Sequence, residues 1–173
     1  MTGYNVQIDR LEDVALINLR CEDEVAARLT AATSIALDHE AFRAKQSTDR
    51  TTARLAPDQW WVRTTLADEL NTFKLLKDAA ADDFAAVTII SDHFQGFSIS
   101  GADTDAVLSQ ATSINLSTLT AGTVTRGKFA RSGGTLFVVE PAQHVEVFVE
   151  SSYAAYIEAY LAALAGRPRA ITP

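Results

Sequence analysis

The side chains that could do chemistry in this 173-residue chain are few and stand far apart. His39, His93 and His144 are the only histidines, and none has a second imidazole one helical turn away, the spacing that lets two ring nitrogens share a metal ion. Cys21 is the single cysteine. With no thiol to pair with and no histidine at ligand spacing, it reads as a small, partly buried thiol in preference to a nucleophile. No Gly-x-Ser-x-Gly elbow presents a serine for acyl transfer. Two glycine segments could cradle a phosphate, and neither fits. Gly133-Gly134 lies between two expected strands with no helix N-terminus behind it, and Gly101-Ala102-Asp103 opens a helix but sets a carboxylate where an anion would sit. The sequence therefore predicts no catalytic residues, no metal site and no cofactor bound by this chain.

Aromatic side chains suited to contact remain. Trp60 and Trp61 are neighbours on an expected strand, so they point to opposite faces; one can enter a core while the other is an exposed candidate anchor for a partner. Tyr153, Tyr156 and Tyr160 follow i, i+3, i+7 on an expected helix and form a second interface candidate, since phenols keep one wet end.

The elements that position these residues follow from hydrophobic periodicity. A strand is expected over 14–20 and a helix over 22–36, then a polar connection or short helix over 38–49. Thr51–Leu55 and Gln59–Arg63 flank Ala56-Pro57-Asp58 as a hairpin. Thr64-Thr65 caps a helix reaching Lys77, with Leu66, Leu70, Phe73, Leu75 and Leu76 as its apolar face. Strands over 84–91 and 94–100 are expected to pair through Asp92-His93, and a helix opens near Thr104. Three strands follow over 122–130, 135–140 and 145–150, the first two joined by Ser132-Gly133-Gly134, and Ser151-Ser152 caps a last helix ending at Ala165. Hairpins alternating with helices predict an α+β fold of two ferredoxin-like subdomains, each an antiparallel sheet with helices on one face. The chain is expected to form a single domain over 1–173, divisible at about 1–83 and 84–165, with a tail over 166–173.

Bulk composition narrows the partners. At 47% hydrophobic residues the chain can fill a core. A formal charge of −7 with its 15 Lys and Arg scattered argues against gripping a phosphate backbone, so nucleic acid is not expected. Met1 to Asn5 carry no basic leader, and no apolar run reaches the ~18 residues that span a bilayer, so no membrane association and a cytoplasmic location are expected.

Two blocks resemble a known family. Leu55-Ala56-Pro57-Asp58-Gln59-Trp60-Trp61-Val62 resembles the Leu-Gly-Pro-Asp-Glu-Trp-Leu-Leu hairpin of the gamma subunit of heterotetrameric sarcosine oxidase. Ile90 to Gly101 is similar to that family's Val-Ser-Asp-x-x-x-x-Leu-x-Leu-Ser-Gly segment, shared with the folate-binding aminomethyltransferase (glycine-cleavage T-protein) fold. Gly122 to Arg126 and Phe148 to Leu164 fit the family's last third. Ala56, Ala102 and Thr112-Ser113-Ile114-Asn115 depart from its usual Gly, Pro and Cys-Pro-Leu-Asp, which marks a divergent member. The resemblance implies a folate-binding-type fold and a non-catalytic accessory subunit of an oxidoreductase complex that demethylates an N-methyl amine. Alpha and beta flavoprotein subunits would hold FAD, FMN, NAD and tetrahydrofolate, beside a small delta subunit. The alternative is a stand-alone tetrahydrofolate-binding or methyl-transfer protein, for which Asp92 is the pterin-site candidate by motif position.

Overall fold

The computed structural model describes residues 3–37, 40–47 and 49–166. His39 and all but the first residue of the expected tail lie outside the described residues. The fold is α+β, with two five-stranded antiparallel sheets and helices packed on each, the ferredoxin-like pair that the pattern of hairpins and helices predicted. The chain divides into two compact units, Glu12–Asp92 and a split unit made of Met1–Leu11 with His93–Pro173. The division therefore falls near residue 92 in place of 83, and an N-terminal segment crosses to the far half of the sequence.

In the unit Glu12–Asp92 the order is β2 (Ala15–Arg20), α1 (Asp23–Thr33), β3 (Arg43–Gln46), β4 (Thr51–Ala56), β5 (Gln59–Thr64), α2 (Glu69–Ala79) and β6 (Ala86–Ile89). The sheet runs β3-β4-β5-β2-β6. Ile17, Leu19, Trp60 and Val62 meet Val25, Leu29 and Leu76 in its core. Helix α1 stops at Thr33, short of the expected Ala36. Ser34 turns left-handed (φ 60), and the Thr30 and Thr33 hydroxyls accept the Leu37 and Ile35 amides at 3.0 and 3.2 Å. Satisfying those amides locally ends the helix. The polar segment expected as a connection is in part the edge strand β3. Edge position explains the missing apolar signal, since its side chains need not face a core. Thr65 caps as expected, its hydroxyl accepting the Asp68 amide at 3.3 Å at the start of a 3-10 turn that leads into α2.

In the split unit, β1 (Gln7–Leu11) precedes β7 (Phe94–Ser100), α3 (Thr104–Leu108), β8 (Val124–Phe129), β9 (Ser132–Glu140), β10 (His144–Glu150) and α4 (Ala154–Ala165). The sheet order is β1-β7-β10-β9-β8. Phe97, Ile99, Val145, Val147 and Leu136 form a core with Val107, Ile157, Leu161 and Leu164. Strands 84–91 and 94–100 are not a hairpin: β6 pairs with β2, while β7 pairs with β1 and β10. Ser91–His93 is a 3-10 turn between sheets. The Ser91 hydroxyl accepts the Leu16 amide at 2.8 Å and donates to the Glu69 carboxylate, which holds the end of β6 beside β2. The β8–β9 reversal also moves. It occurs at Ala130-Arg131, with Ala130 left-handed (φ 50) and Phe129 opposite Ser132, so Gly133 and Gly134 are strand residues. Glu150, with no side-chain capping bond, precedes the last helical segment in place of a serine cap.

The two units repeat one plan. Reading β7-α3-β8-β9-β10-α4 against β2-α1-β3-β4-β5-α2, each strand takes the corresponding place in its sheet, and β1 stands where β6 stands. The seam is visible: the Tyr4 amide donates to the Ala165 carbonyl at 3.1 Å, so β1 follows α4 in space although it precedes everything in sequence. Gly101 secures that strand. Its φ is 129°, and an added Cβ would stand 2.4 Å from the Asn5 carbonyl oxygen, so only glycine fits. The buried Asp103 carboxylate makes no capping bond to α3 and instead accepts the Asn5 amide at 2.7 Å.

Candidate functional site

The tryptophans do not supply an exposed anchor. Trp60 is buried among the α1 and α2 side chains, where its indole N–H donates to the Leu37 carbonyl at 3.0 Å and Arg54 stacks on the ring at 4.8 Å. Trp61 points to the other sheet face and is 2% exposed. The expectation that one ring faces solvent is corrected: the two rings lie on opposite faces of β5 and both are buried. On the last helical segment Tyr153 and Tyr156 are exposed, while Tyr160 packs partly against the core and donates its hydroxyl to the Gln110 carbonyl at 3.0 Å. Asp92 is exposed on the 3-10 turn between sheets.

Among the described residues His93 and His144 do not meet, lying toward opposite ends of the β7–β10 pairing. His93 sets its ring edge-on to Phe94 at 4.7 Å, and His144 shares a 2.9 Å hydrogen bond with the Ser98 hydroxyl across β10 and β7. Among the described residues no group of three or more His, Cys, Asp or Glu side chains is arranged to hold a metal ion. No helix among them is long and apolar enough to cross a membrane.

A concave feature of the unit Glu12–Asp92 lies at one end of its sheet. A cleft of about 490 Å³ is bounded by Arg20, Cys21 and Glu22 after β2, by Asp58 in the β4–β5 turn, and by Phe84 to Ala86 leading into β6. Register explains the grouping, because Arg20 lies opposite Ala86 on one side and Gln59 on the other. The Arg20–Asp58 ion pair closes at 3.0 Å, and the Cys21 amide donates to the Asp58 carbonyl at 3.2 Å. Behind this rim Arg54 pairs with Asp23 and Arg28 with Asp83. Burial, reinforced by Asp23 and Asp83, pushes the Cys21 thiol up to about 11, so it stays protonated near neutrality and is a poor nucleophile. Asp92 is not among the lining residues.

Phe84 and a run of leucines are what sequence reasoning missed. Phe84, read as a strand residue, stands 94% exposed at the cleft. Leu66, Leu70 and Leu75, read as core, are exposed; α2 buries Thr72 and Leu76. A signal existed in Asp82-Asp83, two charges that pull the following aromatic toward water. Thr72 is hidden because its hydroxyl is satisfied, donating to Asp68 at 2.8 Å and accepting from Arg50 Nε at 3.0 Å.

A comparison with models of known protein families finds no match, and no curated protein matches either. Solved structures do share the architecture. A chain of the heterotetrameric sarcosine oxidase from Corynebacterium sp. U-96, in complex with pyrrole 2-carboxylate, superposes with a TM-score of 0.79 at 15% identity, covering 95% of this chain and 88% of that one. Glycine cleavage system aminomethyltransferase T from Bartonella henselae gives 0.74 at 13% identity, over 92% of this chain and 46% of that one. The regulatory subunit of aspartate kinase from Thermus thermophilus gives 0.53 at 14% identity, with 94% and 99% covered. At these identities the likeness establishes a common fold, that of sarcosine oxidase and aminomethyltransferase chains.

Proposed function

We propose that this chain is a non-catalytic accessory subunit of a heteromeric, sarcosine oxidase-like complex that oxidatively demethylates an N-methyl amine. The observation that carries the reading is coverage at a high TM-score: the match to a chain of a heterotetrameric oxidase spans nearly all of both chains at 0.79, whereas the aminomethyltransferase match uses less than half of that enzyme and the equally complete aspartate kinase match reaches only 0.53. On this reading the partners are alpha and beta flavoprotein subunits and a small delta subunit, and FAD, FMN, NAD and tetrahydrofolate belong to them. This chain contributes surface, and the exposed Tyr153 and Tyr156 are among the side chains offered for contact.

The test is isolation of the tagged chain at its native level from its own cells. Flavin absorbance should comigrate with it, and the assembly should consume oxygen with N-methyl amines while the chain alone does not. A monomer without a flavoprotein companion would overturn the reading. Saturable heat on titrating the isolated chain with tetrahydrofolate, lost in Asp92→Asn, would replace it with the methyl-transfer alternative.

A further inference from the structure

We infer that the cleft beside Phe84 is a docking site for a basic side chain, arginine or lysine, presented on an apolar segment of a partner protein. The inference rests on the subunit reading above and gives its contact a chemistry. Three observations meet in one place. The first is shape: about 490 Å³ of concave space at the end of a sheet accommodates one long side chain and its neighbours. The second is Phe84, whose ring is 94% exposed at that cleft and offers a face for a cation and for apolar contact. The third is charge. Glu22, Asp23, Asp58, Asp82 and Asp83 surround the cleft or adjoin its lining, against Arg20, Arg28 and Arg54. Each arginine is already matched to one of these acids, Asp58, Asp83 and Asp23 in turn, which leaves a carboxylate excess. The Cys21 thiol is raised first by burial, and among the charges that act on it Asp23, Asp83 and Asp58 outnumber Arg54. The cleft also opens at the start of α1, but Asp23 and Glu24 in its first turn offset the helix dipole that would favour an anion.

A second copy of the chain is the less suitable occupant, because it brings the same −7 charge to an acidic site. A guanidinium or ammonium carried on leucine-like neighbours can stack on Phe84, approach Glu22 and cover the ring's apolar surface.

The test uses the full chain, nitrogen-15 labelled, titrated with acetyl-Leu-Arg-Leu-amide while amide shifts are followed. Saturable shifts are expected at Cys21, Glu22, Ala85 and Ala86, weakening as salt is raised. Phe84→Ala and Glu22→Gln both change exposed side chains: the first should weaken binding about three- to fivefold, the factor an exposed cation–π contact carries, and the second about two- to fivefold, the factor of an exposed ion pair. Equal binding of acetyl-Leu-Glu-Leu-amide, saturable shifts confined to other residues, or no saturation would overturn the inference. Methylguanidinium binding as tightly as the peptide would also overturn it, as a free-cation site needs no protein segment. The two variants are then carried into the isolation experiment. If wild-type chain recovers flavoprotein partners and both variants recover them equally, the docking inference fails and the subunit reading stands; if wild type recovers none, the subunit reading fails while the peptide titration still decides the cleft.

Discussion

Cys21 shows how a single environment sets reactivity. The thiol is 6% exposed and held near pKa 11 by burial and then by Asp23 and Asp83. Its alkylation by iodoacetamide should be slow at neutral pH and rise about tenfold per pH unit up to that value. The stability consequence has a definite sign. Below about pH 9 the thiol is protonated folded and unfolded alike, so nothing is lost; between 9 and 11 only the unfolded thiol ionises, and stability falls. The difference in urea midpoint between wild type and Cys21→Ala should therefore shrink across that window, by on the order of 2 kcal/mol in free energy at its upper end. A difference that stays flat with pH would contradict the burial argument. Ser91 and Gly101, at the two ends of the block that resembles the oxidase family, carry structural duties of comparable specificity. One anchors β6 beside β2, and the other lets the backbone pass Asn5.

At the scale of elements, α2 is tied to the start of β4 by a polar knot as well as by its apolar face. Arg50 reaches Asp68 at 2.6 Å and Thr72 at 3.0 Å, and Thr72 and Asn71 both donate to the same carboxylate. The Thr72 hydroxyl foremost, then Asn71 and Arg50, holds the Asp68 carboxyl below its ordinary range. A depressed folded pKa gives stability that is present above the unfolded value near 3.8 and lost as pH falls through the lower folded one. Asp68→Asn should accordingly lose stability at neutral pH and show a shallower acid limb in thermal unfolding; an unchanged acid limb would remove the knot from the account. The same helix marks the limit of what the sequence discloses. Periodicity places α2, the β4–β5 hairpin, β7, β9, β10 and α4 because their alternation or stripe is strong. It places Phe73 and Leu76 of α2 against the core correctly but misjudges the flanks of that face, where a satisfied threonine is buried and Leu70 and Leu75 are exposed. It passes over β1 and β3, short edge strands with little apolar pattern. It cannot show the cleft either, because Arg20, Asp58 and Phe84 come from three separate segments joined only by sheet register.

At the scale of the whole chain the repeated plan has a joint that has been cut and moved. Strand β1 completes the sheet of the split unit from the wrong end of the sequence, and Tyr4 still touches Ala165 where an unbroken chain would run on. Linking residue 166 to residue 3 by a few glycines and serines, and opening the chain between Leu11 and Glu12, should yield two consecutive units with the same fold. Loop-closure costs predict a stability within about 2 kcal/mol of the original, read by urea titration and near-ultraviolet circular dichroism. A molten or aggregated product would show that β1 needs its native connection. The displaced strand also bears on synthesis at the ribosome. Ile8 and Leu11 leave the exit tunnel roughly ninety residues before Ile99 and Gly96 arrive to pair with them, a wait of about five to twenty seconds at ordinary elongation rates. During that interval the nascent chain carries an unmatched strand that a chaperone, or a neighbouring polysome's product, can reach first.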